Sequence, residues 1–375
     1  MNTHSHLPLT DSPDILSEVH GHVGLITLNR PKALNALSLS MIRTLSQCLL
    51  AWRDDEQVKA VAIRGTSKTG PFGAFCAGGD IRFFHQAALD DNPELEDFFT
   101  EEYALNHLIH DYPKPYIAFM DGIVMGGGMG ISQGAQIRIV TERTKMAMPE
   151  TNIGLFPDVG GGYFLSRCPG RSGEWLALTG EMIGAAGALE LGLADICFDG
   201  AKLASAWAAL ASTDFVRAGA IDQWLAMFSV AAPAYSTRTT ALIDHHFSGD
   251  SVSAIVHGLE ADADAWAQHT AATLRRRSPL MLHVVLAQVR RARGLSLADD
   301  LRLERVLVRH CFHTTHLGRS GASSETVEGI RALAVDKDHQ PRWQPARIED
   351  VSADMVAPFF VSPWPAQMHP LRDLA

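Results

Sequence analysis

The sequence predicts an α/β fold with a mostly parallel sheet, followed by a second half built almost entirely of helix. Three observations predict it. Up to about residue 200, strand-like and helix-like segments alternate, the order that yields a parallel sheet with helices packed on it. From Lys202 onward the chain is rich in Ala, Leu and Arg at helical spacing, as in residues 204–210 and 280–293, with Pro233 and Pro279 as punctuation. Apolar residues make up 46% of the 375, ample for a buried core. Residues 1–13 read as a disordered N-terminus, 14–200 as the α/β core, and 201–375 as a helical module packed on that core. No internal repeat or flexible linker separates the last two.

The elements follow in order. Residues 17–20 and 22–28 form a hairpin around Gly21. Ser38 caps a helix to about Arg53 that places Ile42, Leu45, Leu49 and Trp52 on one face. Residues 58–64 are a continuous apolar strand of the buried kind. After a loop with Gly70, Pro71 and Gly73, Asp80 caps a helix that starts at Ile81. A further helix covers about 94–111. Residues 115–122 are a strand, and Met125-Gly126-Gly127-Gly128 then opens the next helix. Short strands at 138–140 and 145–148 precede the 151–162 loop, which carries Asp158. Helices near 171–179 and 184–190 lead to an apolar run at 191–198.

Composition excludes several classes of function. A formal charge of −10 argues against nucleic acid as the main partner. The five cysteines, Cys48, Cys76, Cys168, Cys197 and Cys311, form no Cys-x-x-Cys pair, which suits a reducing compartment and argues against a zinc or disulfide frame. Residues 1–13 contain no Lys or Arg and no apolar core, and no apolar run is long enough to cross a bilayer. The expectation is a soluble cytoplasmic protein. Without a Gly-x-Ser-x-Gly elbow, a serine-hydrolase triad has no starting point. His310, His313 and His316 lack a completing ligand set, so no metal site is expected. Arg275-Arg276-Arg277 and Arg290-Arg291 read as solvated helix faces.

Two glycine-rich helix starts point to chemistry, Gly78-Gly79 before Asp80 and Gly126-Gly127-Gly128. Such starts leave backbone N–H groups unpaired, and glycine lets a ligand approach them. No Lys-Ser/Thr follows the second cluster, and its spacing does not complete Gly-x-Gly-x-x-Gly, so neither a phosphate loop nor a dinucleotide fingerprint fits. An oxyanion hole for acyl transfer fits better. Tight helix–sheet packing is the structural alternative. Two carboxylates follow, Glu150 after Met148-Pro149 and Asp158 after Phe156-Pro157. Taken alone, each suits a helix start or a turn.

The chain resembles the crotonase (enoyl-CoA hydratase/isomerase) superfamily. The marks are Leu28-Asn29-Arg30-Pro31-Lys32-Ala33-Leu34-Asn35-Ala36, Phe75-Cys76-Ala77-Gly78-Gly79-Asp80 and the Gly126–Gly128 cluster. Over nearly the whole chain it is more similar to the 3-hydroxyisobutyryl-CoA hydrolase family within that superfamily. The match runs through Glu101-Glu102-Tyr103, Ala147-Met148-Pro149-Glu150-Thr151 and, most specifically, Ile153 to Leu165. The resemblance implies a superhelix of repeated ββα turns and a CoA thioester whose carbonyl lies between the backbone N–H groups of Gly79 and Gly127. It implies Glu150 and Asp158 as catalytic residues, Glu102 as a substrate contact and Lys32 near the CoA. No cofactor is implied, since CoA belongs to the substrate, and superfamily members often form oligomers.

The family's hydratases use two glutamates. The first would fall at position 130, where this chain has Gly130, and the second corresponds to Glu150. The resemblance therefore favours hydrolysis of a short β-hydroxyacyl-CoA, 3-hydroxyisobutyryl-CoA of valine breakdown, over enoyl-CoA hydration or isomerisation. A CoA-ester-binding protein without turnover is the alternative of another class.

Overall fold

A computed structural model describes residues 12–232 and 234–375. The expected disorder at 1–13 falls almost wholly outside these residues, as does the break at Pro233. The chain divides into two compact units whose segments alternate along the sequence. The first comprises residues 1–79, 108–146 and 183–234, and the second 80–107, 147–182 and 235–375. The boundary expected at residue 200 falls inside the first unit.

The first unit is organised on a sheet. Its strands are β1 (Ile15–His20), β2 (Val23–Leu28), β3 (Ala60–Ser67), β4 (Gly70–Pro71), β5 (Tyr116–Met120), β6 (Ile123–Met125), β7 (Ile137–Thr141), β8 (Lys145–Ala147) and β9 (Ile196–Phe198). Among the described residues, seven strands form one sheet in the order β1-β2-β3-β5-β7-β9, with β4 paired to β3. The β1–β2 hairpin is antiparallel and turns at Gly21, whose φ is +62°. Every later step along the path is parallel: Val23 faces Ala60, Val61 faces Tyr116, Ile117 faces Ile137, and Ile139 faces Ile196. Strands β2 and β5 are buried throughout and β3 and β7 over most of their length, as continuous apolar runs demand, while the edge strand β1 is largely exposed.

A second, shorter layer of pairing accompanies the sheet. β6 pairs with β8, and single bridges join Cys76 to Val124 and Met146 to Ile183. A sheet strand, a short second strand and then a helix thus follow one another, as β5, β6 and helix Gly127–Gln133 do. Helix Leu39–Asp54 starts under its expected cap, with Ser38 Oγ accepting from Met41 N at 3.3 Å. The sheet core includes Phe72, Phe119, Phe198, Trp207 and Trp224, so helices Leu203–Leu210 and Ala220–Phe228 cover sheet residues.

The second unit is mainly helical. Helix Ile81–Leu89 is capped by Asp80, whose Oδ1 accepts from Phe83 N at 3.3 Å. Helix Glu94–His110 enters this unit with its residues up to His107. Phe98 and Phe99 on it pack with Phe84 at 4.7 and 4.9 Å between ring centroids, and Phe99 meets Phe312 at 5.6 Å. This aromatic cluster fixes the helix that carries Glu102 and Tyr103. Helices Pro279–Ala292 and Leu297–Phe312 are the long, strongly buried members, with Pro279 at a first-turn position that needs no N–H.

Candidate active site

In the first unit the two glycine-rich stretches meet. Cys76 N donates to the Ile123 carbonyl, and Met125 N donates to the Cys76 carbonyl, both at 2.9 Å. This pairing sets residues 76–79 beside residues 123–127. A Cβ on Gly78 would stand 3.4 Å from the Met125 carbonyl oxygen and 3.7 Å from the Gly127 nitrogen. A Cβ on Gly128 would stand 2.3 Å from the Cys76 carbonyl oxygen, which no side chain tolerates. Gly126 sits at φ +47°, ψ −121°, a conformation open to glycine alone. Among the described residues, neither Gly79 nor Gly127 donates its N–H to a backbone carbonyl. The local fold therefore leaves two amide donors free on adjoining glycine turns. The tight-packing role holds for Gly128, and a donor role is open to Gly79 and Gly127.

Asn35 ties the Arg-Pro-Lys-Ala-Leu-Asn-Ala stretch to the residues before Cys76. Its buried Nδ2 donates to the carbonyls of Thr66, Ala74 and Phe75 at 2.8, 3.1 and 3.0 Å, and its Oδ1 accepts from Arg30 N at 2.9 Å. It thus pins the segment leading to Cys76. Lys32 is exposed on the turn Pro31–Ala33.

In the second unit three carboxyls gather with a tyrosine. Glu102 is 2% exposed, and Glu150 and Asp158 are each 6% exposed. Tyr103 donates its hydroxyl to Asp158 Oδ2 at 2.8 Å. Glu102 Oε1 and Glu150 Oε2 have no hydrogen-bond partner among the described residues. Burial pushes Asp158 up to about 6, opposed by the Tyr103 bond that favours its ionised form. Burial first, then the Asp158 charge, holds Glu150 well above the usual carboxylate range. Glu102 is raised the same way by burial and then by the charges of Asp158 and Glu150. Mutually perturbed, buried acids of this kind are what proton-transfer sites are made of.

Two adjacent glutamates, Glu101 and Glu102, suggest an exposed helix face by sequence alone, yet helix Glu94–His110 turns Glu102 inward. Glu150 opens the 3-10 turn Glu150–Ile153, yet its side chain is buried rather than solvated. Asp158 stands in a turn whose next residue, Val159, has φ +57°, an outlier for a β-branched residue.

Sequence reasoning gave no role to Tyr103, Asn106, Gln288, Asp300 or Glu304. Asn106 lies one helical turn beyond Glu102, 2% exposed, with neither amide atom partnered among the described residues. Asp300 and Glu304 fall at positions shared with Leu297, Leu301 and Val308, the buried face of helix Leu297–Phe312. Acids at core positions of an apolar stripe were the available signal. The arginine clusters are not simply solvated: Arg275 pairs with Glu260 and Glu349, Arg277 donates to Thr179 O and Asn152 Oδ1, and Arg290 donates to Gly249 O. His310 bonds to Val361 O and His313 to Glu96, and among the described residues no cluster of His, Cys, Asp or Glu is arranged to hold a metal.

A family model for enoyl-CoA hydratase/isomerase matches residues 23–360. The chain belongs to that family. The zebrafish (Danio rerio) member named "3-hydroxyisobutyryl-CoA hydrolase, mitochondrial" is 39% identical over 355 residues, covering 93% of this chain and 90% of that protein. The Arabidopsis thaliana member named "3-hydroxyisobutyryl-CoA hydrolase 1" is 37% identical over 360 residues, covering 94% and 92%. A crystal structure of a carnitinyl-CoA dehydratase from Mycobacterium thermoresistibile superposes with a TM-score of 0.86 at 38% identity, covering 96% of this chain and 99% of that one. A crystal structure of an enoyl-CoA hydratase from Rhodobacter sphaeroides 2.4.1 gives 0.81 at 34% identity, covering 93% and 98%. The crotonase-type fold expected from the motifs is therefore the fold of this chain. The names of its relatives divide between hydrolases and hydratases or dehydratases, so side chains must select the reaction.

Proposed function

We propose that the chain hydrolyses a short β-hydroxyacyl-CoA thioester, 3-hydroxyisobutyryl-CoA of valine breakdown, to the free hydroxy acid and CoA. One observation carries the reading. The chain keeps Glu150 and Asp158 as buried acids while position 130, where a hydratase of this family needs its first glutamate, is a glycine inside helix Gly127–Gln133. The 39% identity to a named hydrolase over 93% of the chain supports it.

In this reading, water adds to the thioester carbonyl carbon, and the carbonyl oxygen becomes an oxyanion stabilised by the amides of Gly79 and Gly127. Glu150 takes the proton of that water, or itself attacks to give an anhydride that water then opens. A base held above the ordinary carboxylate range is stronger once ionised, which suits a neutral nucleophile. The C–S bond breaks with its electron pair on sulfur, and the thiolate takes up a proton. Asp158 orients the acyl hydroxyl or the water and shuttles that proton. Glu102 contacts the substrate, and Lys32 meets the CoA. The residues require no added cofactor, because CoA arrives as part of the substrate.

The test is free-thiol release from 3-hydroxyisobutyryl-CoA by purified protein, with crotonyl-CoA hydration run in parallel. Thiol release is expected, and Glu150→Gln is expected to lower it by about 10²–10⁴-fold. Hydration without thiol release would establish the second reading, an enoyl-CoA hydratase, the name carried by the Rhodobacter sphaeroides protein. Binding of CoA esters with neither activity would mean a protein that holds them without turnover.

A further inference from the structure

The turn that carries Asp158 is held from one side by two acids on helix Leu297–Phe312. Glu304 accepts from Gly160 N through Oε2 at 2.7 Å and from Gly162 N through Oε1 at 3.0 Å. Asp300 Oδ2 accepts from Tyr163 N at 2.6 Å. Gln288 Nε2 donates to the Pro157 carbonyl at 2.7 Å and to Glu304 Oε1 at 3.2 Å. The carbonyl before Asp158 and the amides after it are therefore fixed by three buried side chains that do not belong to the turn.

The turn needs that support. Val159 at φ +57° and Gly160 at φ +84° are consecutive left-handed residues, and a β-branched residue there is strained. Such strain persists only where the surroundings over-determine it, and it gathers at functional sites. No side chain can be added beside the clamp, since a Cβ on Gly162 would stand 2.6 Å from Asp300 Oδ1. Asp300 and Glu304 are themselves wholly buried. Asp300 Oδ1 has no N–H or O–H donor among the other described groups.

We propose that Glu304 and Asp300 are positioning residues for Asp158: two buried acids that accept from the amides of Gly160, Gly162 and Tyr163, and so hold the 157–163 turn and with it the Asp158 carboxyl. The pair acts through the backbone and does not touch the substrate. The proposal rests on the hydrolase reading for its effect on rate, though not for the placement of Asp158. The titratable groups facing Asp158 are Glu102 and Tyr103 from helix Glu94–His110, Glu150 from its turn, and Glu304 and Cys311 from helix Leu297–Phe312.

The two acids differ in what a conservative change removes. In Asp300→Asn, the amide oxygen still accepts from Tyr163. In Glu304→Gln, one of the two oxygens that accept from Gly160 and Gly162 becomes a donor, and an N–H is left facing an N–H. Thiol release and the pH titration of the Asp158 carboxyl by ¹³C NMR are measured in both variants, with the Asp158 signal identified by its loss in Asp158→Asn. Asp300→Asn is expected to keep kcat within about 3-fold and the Asp158 titration in place, while folded Glu304→Gln loses about 10²-fold in kcat with KM nearly unchanged. In Glu304→Gln the Asp158 titration is expected to move by about half a pH unit or more. Adding Val159→Gly, which removes the strain the clamp must hold, is expected to recover part of the lost kcat.

Wild-type kcat and an unmoved Asp158 titration in folded Glu304→Gln would overturn the proposal. So would a loss of about 10²-fold in folded Asp300→Asn. Should Glu304→Gln not fold, Asp300→Asn and the NMR titration decide. Absence of thiol release from the wild-type protein would sink the hydrolase reading alone, because the titration reads the position of Asp158 without turnover.

Discussion

The two compact units offer different kinds of working group. The first presents backbone amides of Gly79 and Gly127, and the second presents the side chains of Glu102, Glu150 and Asp158. An amide donor is neutral, and its position is set by main-chain pairing, so the sequence specifies it by withholding side chains. A buried carboxyl is set by a side chain, and every one of the three is held in surroundings that disfavour its charge. The first kind of group should therefore cost the fold little, and the second should cost it measurably. The contrast can be broken or sharpened by substitutions on each side.

The largest effect is expected on the backbone side. Gly128→Ala puts a methyl group 2.3 Å from the Cys76 carbonyl oxygen, so the residues 76–79 and 126–128 must separate. Thioester hydrolysis is expected to fall by about 10²–10³-fold, the usual worth of an oxyanion donor. Thermal unfolding followed beside kcat distinguishes a displaced donor from a lost fold. A fully active Gly128→Ala would mean that the meeting of the two glycine turns is not what positions the donors.

A smaller effect tests what fixes those turns. Asn35→Ala removes the donor to three carbonyls, two of them buried, and the acceptor for Arg30 N. The loss of stability is expected to be about 3 kcal/mol, since unsatisfied buried polar groups cost more than a hydrogen bond gains. Urea unfolding measures it. Unchanged stability would make the superfamily stretch a substrate contact rather than a brace.

These two positions also show what a sequence can and cannot display. Strand β3, the capped helix Leu39–Asp54 and the Asp80 cap were legible because each follows from local pattern: an apolar run, a 3.6-residue stripe, a side-chain oxygen before a helix. The glycine turns were legible as free donors because the residues that could not complete a phosphate or dinucleotide site were beside them. Glu102 was not legible as buried, because adjacent Glu101 made the pair look solvated. Only the rotation of helix Glu94–His110 against Phe84 and Phe312 separates them. Glu304 lies 144 residues from Gly160, the amide it accepts from, and no local pattern spans that distance. The path of helices Leu203–Leu210 and Ala220–Phe228 back onto sheet residues is likewise long-range, so a linear reading stops the core too early.

The last effect is the smallest and has the opposite sign. Asp158 has its carboxyl raised to about 6 from an ordinary 3.8, chiefly by burial. The folded state thus binds a proton more tightly than the unfolded chain does. Stability from this group is fully present below about 3.8 and is lost as the pH rises through about 6. Above that window the ionised carboxyl weighs on the fold by about 2–3 kcal/mol. Asp158→Asn keeps an oxygen to accept from Tyr103 and has no charge to desolvate. It is therefore expected to melt a few degrees higher than the parent at pH 8, with the gap closing toward pH 5, while thiol release collapses. Gly128→Ala should lose activity with no such gain at any pH. A variant of Asp158 that is less stable than the parent at both pH values would show that the Tyr103 bond outweighs burial, and the difference between the two units would then lie in geometry alone.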